Sequence, residues 1–348
     1  MNPYVLMILL SSLGLGTTLT FASSHWLLAW MGLEINTLAI IPLMAQHHHP
    51  RAVEATTKYF LTQATAAAMI LFASTTNAWL TGEWNMNHML NPLANMMIMT
   101  ALALKIGLAP MHFWMPEVMQ GLDLLTGLIL STWQKLAPLA LIIQVSQTID
   151  PLLLTSLGLM STLVGGWGGL NQTQLRKILA YSSIAHMGWM MIILQYAPQL
   201  TLLALITYIL MTSAAFLTLK SLTSTKINSL TLTWSKNPTL TATTALVLLS
   251  LGGLPPLTGF MPKWLILQEL TKQDLPIIAT IMALAALLSL YFYLRLCYAM
   301  TLTISPNTNN STVPWRTNST QTPLPLAFFT TTALALLPVT PAILMLTT

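Results

Sequence analysis

Four charged side chains lie inside long apolar stretches of a chain that otherwise carries little charge: Glu34, Lys105, Lys135 and Lys263. On insertion scales each costs about 2.5 to 3.5 kcal/mol at the centre of a membrane helix, so together they cost roughly 10 kcal/mol. Such a cost implies a use, because an ionisable group at that depth normally pairs, relays protons or binds an ion in a protein interior or hydrated cavity. These residues predict a membrane protein that moves charge.

Two segments, one in each half of the chain, resemble each other. Residues 107–117 and 253–263 both read Gly-Leu-x-Pro, then an aromatic residue, then Met-Pro and a charged residue. Each holds prolines six positions apart, and proline removes an intrahelical hydrogen bond and clashes with the preceding turn. We therefore expect two discontinuous helices, non-helical near 106–111 and near 253–260. Two kinked helices that resemble each other by chance are the alternative.

These interruptions should decide where two of the lysines lie. Lys105 comes just before Gly107, so it should end a first half-helix, where the negative end of the helix dipole attracts an ammonium group. Lys263 follows Pro262, a residue suited to the first helical position, so it should begin a second half-helix. The alternative for each is a lysine that snorkels to the membrane interface.

The other two charges lie in apolar spans without such a repeat. Glu34 falls halfway along its span and needs a cationic partner, for which Lys105 is the candidate. Lys135 is midway along another span, with Pro138 three residues later to loosen the backbone. The alternative for Lys135 is a lysine held by neighbouring carbonyls.

Two histidines are further candidates for a proton relay. His112 follows the first interruption and His186 lies near the middle of an apolar span. Histidine titrates near neutrality and can pass a proton through either ring nitrogen. A hydrogen-bonded histidine with a purely structural role is the alternative for both.

The composition requires an integral membrane protein. Hydrophobic residues make up 55% of the chain and charged residues only 6%, against about 25% charged residues in soluble proteins. The mean hydropathy is +0.70. About eleven apolar windows are long enough to cross a core of about 30 Å, and they lie near 3–20, 24–45, 54–78, 95–120, 124–145, 150–170, 174–195, 199–222, 240–271, 275–304 and 323–345.

This count predicts an all-α polytopic fold, a single membrane domain over residues 1–348. The first five spans, about 1–146, and the next five, about 147–304, would form two repeats whose fourth member is broken. Because five is odd, the repeats would have inverted topology, as in transporters with a binding site at the membrane midplane. One extra helix, about 323–345, would follow.

The basic residues show a sidedness that indicates orientation. With the N-terminus inside, the inside loops and helix ends hold Arg51, Lys58, Arg176, Lys177, Lys220, Lys226, Lys236 and Arg316, whereas the outside ones hold Lys272 with Glu83, Asp150 and Asp274. Cytoplasmic or matrix loops carry such an excess, so the C-terminus should be outside. The formal charge of +5 is scattered and forms no stripe for nucleic acid.

The sequence predicts neither a metal site nor a cofactor site. Cys297 is the single cysteine, which excludes an internal disulfide and a cysteine-ligated cluster built from this chain alone. The run His47 to His49 lies in a loop beside Pro50, where adjacent histidines lack the fixed geometry of a metal site.

The residues at 30–36, 105–117 and 251–264 resemble the antiporter-like family shared by respiratory complex I and multisubunit cation/proton antiporters. The resemblance covers the whole chain. It implies that Glu34 and Lys105 are the charged pair of a first half-channel. It also implies that Lys135 is the central connecting lysine and Lys263 the terminal residue toward the outer side.

The resemblance further implies a core membrane-arm subunit of complex I in the mitochondrial inner membrane, with the N-terminus on the matrix side. Such a subunit translocates protons while NADH is oxidised and ubiquinone reduced. NADH, flavin, iron–sulfur clusters and ubiquinone would be bound by partner subunits. The partners would be other membrane-arm subunits, including neighbouring antiporter-like ones, and the lipid bilayer. The alternatives are a sodium/proton antiporter subunit and a membrane scaffold that does not pump.

Overall fold

The computed structural model describes residues 2–46, 49–86, 89, 91–235, 237–303 and 323–347. Within these ranges every regular element is helical. The α-helices are α1 Pro3–Ala22, α2 Trp26–Met44, α3 Pro50–Thr81, α4 Pro92–Ile106, α5 Trp114–Gly121, α6 Leu124–Ser131, α7 Trp133–Val145, α8 Pro151–Gly168, α9 Leu175–Ile193, α10 Pro198–Ser221, α11 Ile227–Thr231, α12 Pro238–Gly252, α13 Phe260–Lys272, α14 Pro276–Leu302, α15 Pro323–Ala335 and α16 Thr340–Thr347.

Proline marks the start of many of these helices. α1, α3, α4, α10, α12 and α14 each have proline in their first positions, where the missing N–H has no intrahelical partner to lose. Asn2 and Asn91 precede two of them and accept a hydrogen bond from a backbone N–H of the first turn, at 3.2 and 3.1 Å. These caps satisfy donors that a helix start leaves open.

The all-helical, multi-pass membrane architecture is confirmed. By length and composition, six helical stretches can cross a membrane: Pro3–Ala22, Trp26–Met44, Leu124–Thr148, Pro151–Gly168, Pro198–Ser221 and Pro276–Leu302. The bent pair α15 and α16 makes up to seven in the described part of the chain. The predicted total of about eleven stays a prediction, because several predicted spans are divided into shorter pieces.

The two predicted helix interruptions are confirmed. α4 ends at Ile106 and α5 begins at Trp114, while α12 ends at Gly252 and α13 begins at Phe260. The first interruption therefore covers 107–113, two residues further than expected.

Both interruptions begin with the same helix end. Gly107 has φ 83° and ψ 43°, and Gly253 has φ 82° and ψ 44°. In each case the glycine N–H and the next N–H donate to one carbonyl of the preceding turn, that of Ala103 or of Leu249. Left-handed glycine ends of this kind satisfy carbonyls that a helix end leaves open.

The structure differs from the predicted helices in three details. Pro262 is not the first residue of α13, which begins at Phe260, so Lys263 lies fourth in that helix. The span at 124–145 is interrupted at Thr132, between α6 and α7. The extra C-terminal helix is bent by 69° between α15 and α16, where Pro338 and Pro341 interrupt regular hydrogen bonding.

The chain divides into two compact units, Met1–Ser161 and Thr162–Thr348. In the first, α2 and α3 pack beside α1 and α4, and α7 contacts α1, α2 and α4. In the second, α12 packs with α14, and α10 and α12 both pack with α15. The single domain and the repeat boundaries stay predictions. His47, His48, Lys236, Arg316 and the polar segment 305–322 lie outside the described residues.

Candidate functional site

The first unit contains a cavity whose wall includes both Lys105 and Lys135. α2, α3, α4, α5, α6 and α7 contribute its lining. It has room for about one water molecule, because the centre of a water molecule can occupy a volume of about 10 Å³ in it. Lys105 is 6% exposed and Lys135 is 3% exposed. The structure thus brings together two of the charged residues that the sequence predicted.

Lys105 owes its place in the cavity to the interruption that follows it. It lies in the last turn of α4, whose final carbonyls have no intrahelical donors. The indole Nε1 of Trp114 donates to the carbonyl of Leu104 at 3.0 Å, and Nε2 of Gln63 donates to the carbonyl of Lys105 at 3.5 Å. Because neutral side chains cap this helix end, the ammonium group of Lys105 is not needed there.

The ammonium nitrogen of Lys105 has no hydrogen-bond partner among the residues that the structure describes. Glu34 acts on it electrostatically, but no salt bridge between described residues joins the two. Oε2 of Glu34 instead accepts a hydrogen bond of 2.9 Å from the hydroxyl of Thr37. The predicted partnership is therefore not a direct contact, and coupling of the two groups stays a prediction.

Lys135 lies in the first turn of α7, directly after the interruption at Thr132. Pro138 lies inside α7 and has no N–H to offer the carbonyl of Gln134. The interruption at Thr132 and the proline at 138 both leave backbone without regular helical hydrogen bonds close to Lys135. In a membrane such backbone is tolerated where protein covers it or where it lines a hydrated cavity.

Three amide side chains share the cavity wall with the lysines: Asn36, Gln63 and Gln134. Their part in the site was not predicted from the sequence, because they carry no charge. A signal was present, since each is a polar residue within a predicted span. Asn36 is 2% exposed and Gln63 is 4% exposed. Neutral amides can donate to and accept from a proton carrier without titrating.

The second unit holds a separate small pocket, lined by Lys263 and His186, that has no room for a water molecule. Ser182, Ser289 and Tyr293 also line it. The structure therefore brings together two further residues of the predicted relay. The ring of His186 also packs against the ring of Tyr208, with centroids 5.5 Å apart and the ring planes tilted by 43°.

Lys263 is held by the interruption in its own unit. Its Nζ donates to the carbonyl of Gly252 at 2.9 Å, at the C-terminal end of α12, where the helix dipole is negative. A methyl group on Gly253 would lie 3.0 Å from this Nζ. The glycine therefore gives the ammonium access to the helix end.

His112 lies within the first interruption and is 4% exposed. Its ring packs against Phe113 with centroids 4.4 Å apart, and it hydrogen-bonds the backbone at Pro110. Among the described residues, the lining of the first cavity includes neither His112 nor Glu34. The structure favours a structural role for His112, and its part in a relay stays a prediction.

A further charge within the spans was missed and has a structural explanation. Arg295 on α14 donates through Nη1 to the carbonyl of Leu170 and through Nη2 to that of Gln172. These two hydrogen bonds hold α14 against the segment that follows α8. In the described part of the chain, no three histidine, cysteine, aspartate or glutamate side chains are grouped as a metal site would need.

Comparison with known families accounts for nearly the whole chain. Residues 23–289 match the family described as NADH:quinone oxidoreductase/Mrp antiporter, TM. Residues 290–344 match the NADH dehydrogenase subunit 2 C-terminus. The chain is 85% identical over 348 residues to the NADH-ubiquinone oxidoreductase chain 2 of Carassius auratus, and 77% identical to that of Danio rerio, with 100% of each chain covered.

Solved structures share the fold. A chain of respiratory complex I from Thermus thermophilus, solved with bound aureothin, is similar with a TM-score of 0.85 and 30% identity, over 97% of this chain and 78% of that one. A chain of the Mrp complex from Dietzia is similar with a TM-score of 0.82 and 14% identity, over 97% of this chain and 76% of that one. The second likeness concerns the fold alone.

Proposed function

The chain belongs to the NADH:quinone oxidoreductase/Mrp antiporter membrane family, and from this membership we propose that its buried lysines carry protons across the membrane. The chain is a membrane-arm subunit of respiratory complex I, as its full-length relatives are. It is a multi-pass protein of the mitochondrial inner membrane. Its partners are other subunits of that arm.

The observation that carries the proposal is the pair Lys105 and Lys135 in one buried cavity. Two ammonium groups in such a space repel each other, so a proton gained by one favours release from the other. Neutral amides in the same wall can serve either protonation state. A cavity of this kind therefore passes one proton onward more readily than it holds two protons, one on each lysine.

The same wall argues for protons over sodium. A sodium site needs several oxygen ligands, preferably including a carboxylate, as other hard cations do. Among the described residues, the lining contains two lysines and no carboxylate. Lysines in the wall would repel a metal cation, whereas they bind a proton directly. The lining therefore favours a proton pump over a sodium/proton antiporter.

Redox chemistry belongs, in this proposal, to partner subunits that bind NADH, flavin, iron–sulfur clusters and ubiquinone. The chain has a single cysteine, so it cannot supply the four thiolates of a typical cluster. The excess of basic residues in one set of loops supports an N-terminus in the matrix and a C-terminus in the intermembrane space.

A double-mutant cycle on Glu34 and Lys105 tests the proposal. Lys105→Met should lower NADH-driven proton pumping per assembled complex by about tenfold or more, because it removes a proton-carrying group. Glu34→Gln alone should lower pumping less, and adding it to Lys105→Met should change nothing further, since coupled residues are not additive. Pumping is measured with the intact complex in sealed vesicles.

Lys272→Met is the matched control. Lys272 is exposed and pairs with Glu269 at 3.5 Å near the end of α13, so its loss should leave pumping unchanged. Normal pumping by the Lys105→Met complex would sink the proposal. Strictly additive losses would instead show that Glu34 and Lys105 do not act as a unit.

A further inference from the structure

Asn36 lies in the wall of the first-unit cavity beside both lysines. We propose that its carboxamide is a positioning residue for proton transfer between Lys105 and Lys135. The inference rests on the proposed function of this cavity and adds to it a residue that has no charge.

The burial of Asn36 is the first observation behind this role. The side chain is 2% exposed, and neither Oδ1 nor Nδ2 has a hydrogen-bond partner among the described residues. Burying an amide without a partner is costly, and in a membrane no solvent offsets the loss. The cavity wall also contains the Lys105 ammonium group, likewise without a partner in the described part of the chain. Two complementary polar groups thus line one small space.

The contact with α1 fixes where the carboxamide lies. A methyl group on Gly16 would come within 2.4 Å of Oδ1 and 2.8 Å of Cγ of Asn36. Only a residue without a side chain lets α1 approach α2 this closely. The backbone of Asn36 is also tied to α7, because Nε2 of Gln134 donates to its carbonyl at 3.4 Å. Gln134 is the neighbour of Lys135 in the sequence.

An amide has the chemistry that a group between two lysines needs. It offers two donor hydrogens and an oxygen with two lone pairs, and it does not titrate. The oxygen can accept from an ammonium group, which has three donors and no acceptor, and the NH₂ can donate to a neutral amine. A carboxylate at this place would pair with the proton carrier and hold it. An apolar residue could orient neither the ammonium form nor the neutral amine form of a lysine.

The competing explanation is packing, in which Asn36 is only a side chain small enough to fit against Gly16. The pair Asn36→Thr and Asn36→Val separates the two explanations. Threonine and valine have nearly the same shape but differ in a hydroxyl group. Both variants fill the space against α1 equally, so a packing role predicts equal effects.

With the intact complex in sealed vesicles, Asn36→Val should lower NADH-driven pumping per assembled complex by about tenfold, the rate equivalent of one charge-assisted hydrogen bond. The solvent deuterium isotope effect on pumping should rise, because proton transfer becomes slower than the other steps. Asn36→Thr should retain most of the rate and the original isotope effect. Equal pumping and equal isotope effects in the two variants would overturn the assignment.

A second pair of variants decides the matter if Asn36→Val does not assemble. Gly16→Ala would press a methyl group on Oδ1 of Asn36 at 2.4 Å and on the carbonyl of Gly32 at 2.9 Å, so its control is Gly32→Ala, whose methyl group would press on α1 at Thr20 and Gly16 instead of on Asn36. Gly16→Ala should lower pumping more than Gly32→Ala does. Equal pumping in these two would also overturn the assignment. Loss of pumping in Lys105→Met with normal pumping in Asn36→Val would leave the proposed function standing and remove only the role of Asn36.

Discussion

At the scale of single residues, the two interrupted helices use their lysines differently. The end of α4 is capped by Trp114 and Gln63, which leaves the Lys105 ammonium group to the cavity. The end of α12 is capped by Lys263 itself, through the carbonyl of Gly252. A charged donor makes a stronger hydrogen bond than a neutral one. Loss of the Lys263 proton should therefore weaken the hydrogen bond that caps the end of α12. Among the residues that the structure describes, Nζ of Lys105 makes no such bond to a helix end.

Gly253→Ala tests this link between Lys263 and the helix end. The new methyl group would lie 3.0 Å from Nζ of Lys263, so the ammonium should be displaced from Gly252. The φ of 82° adds a strain of about 1 to 2 kcal/mol for any residue other than glycine. We expect both faster thermal inactivation of the complex and lower proton pumping per assembled complex.

Gly82→Ala supplies the control for backbone strain. Gly82 has φ 77°, and a methyl group there would meet nothing within 4 Å. This variant should inactivate faster on heating but pump normally. If the Gly253→Ala complex pumps as fast as the Gly82→Ala complex, the hydrogen bond from Lys263 to Gly252 has no part in pumping.

The charged residues could be found from the sequence because charge is rare and costly in apolar spans. The amides Asn36, Gln63 and Gln134 could not be ranked in the same way, since a neutral polar residue in a span often bonds only to its own helix. They are important for the site because α2, α3 and α7 bring them together in the wall of one cavity. Such a grouping depends on packing between distant parts of the chain.

At the scale of elements, the interruptions were predictable because proline and glycine act locally. The start of α13 was not, because proline is tolerated anywhere in a first turn, where its missing N–H has no partner. This is why Pro262 lies third and not first in its helix. The interruption at Thr132 has no such local signal before it.

The C-terminal pair of helices has a contact that the sequence could not show. The hydroxyl of Thr258, in the second interruption, donates to the carbonyl of Ala333 at 2.6 Å. Ala333 lies near the end of α15, just before the 69° bend. The extra helix therefore closes over the irregular backbone of the second interruption, which protein must cover in a membrane.

At the scale of the whole molecule, the orientation in the membrane is inferred from the uneven distribution of basic residues between the loops. The single cysteine, Cys297, is buried, so an introduced cysteine can be labelled selectively on this chain. Glu83→Cys should react with an impermeant thiol reagent added from the intermembrane space, because Glu83 is exposed in the predicted outer segment. Asn228→Cys, exposed in a predicted inner segment, should react only from the matrix. The reverse pattern would overturn the orientation.

The central claim is that the buried lysines carry protons, and Lys135→Met tests it most directly. The ratio of protons pumped to NADH oxidised, measured per assembled complex in sealed vesicles, should fall, and coupled electron transfer should slow with it. NADH oxidation by the detached peripheral arm should be unchanged. A scaffold role predicts less assembled complex, with a normal ratio in what assembles. A normal ratio and normal quinone reduction in the assembled Lys135→Met complex would contradict the account.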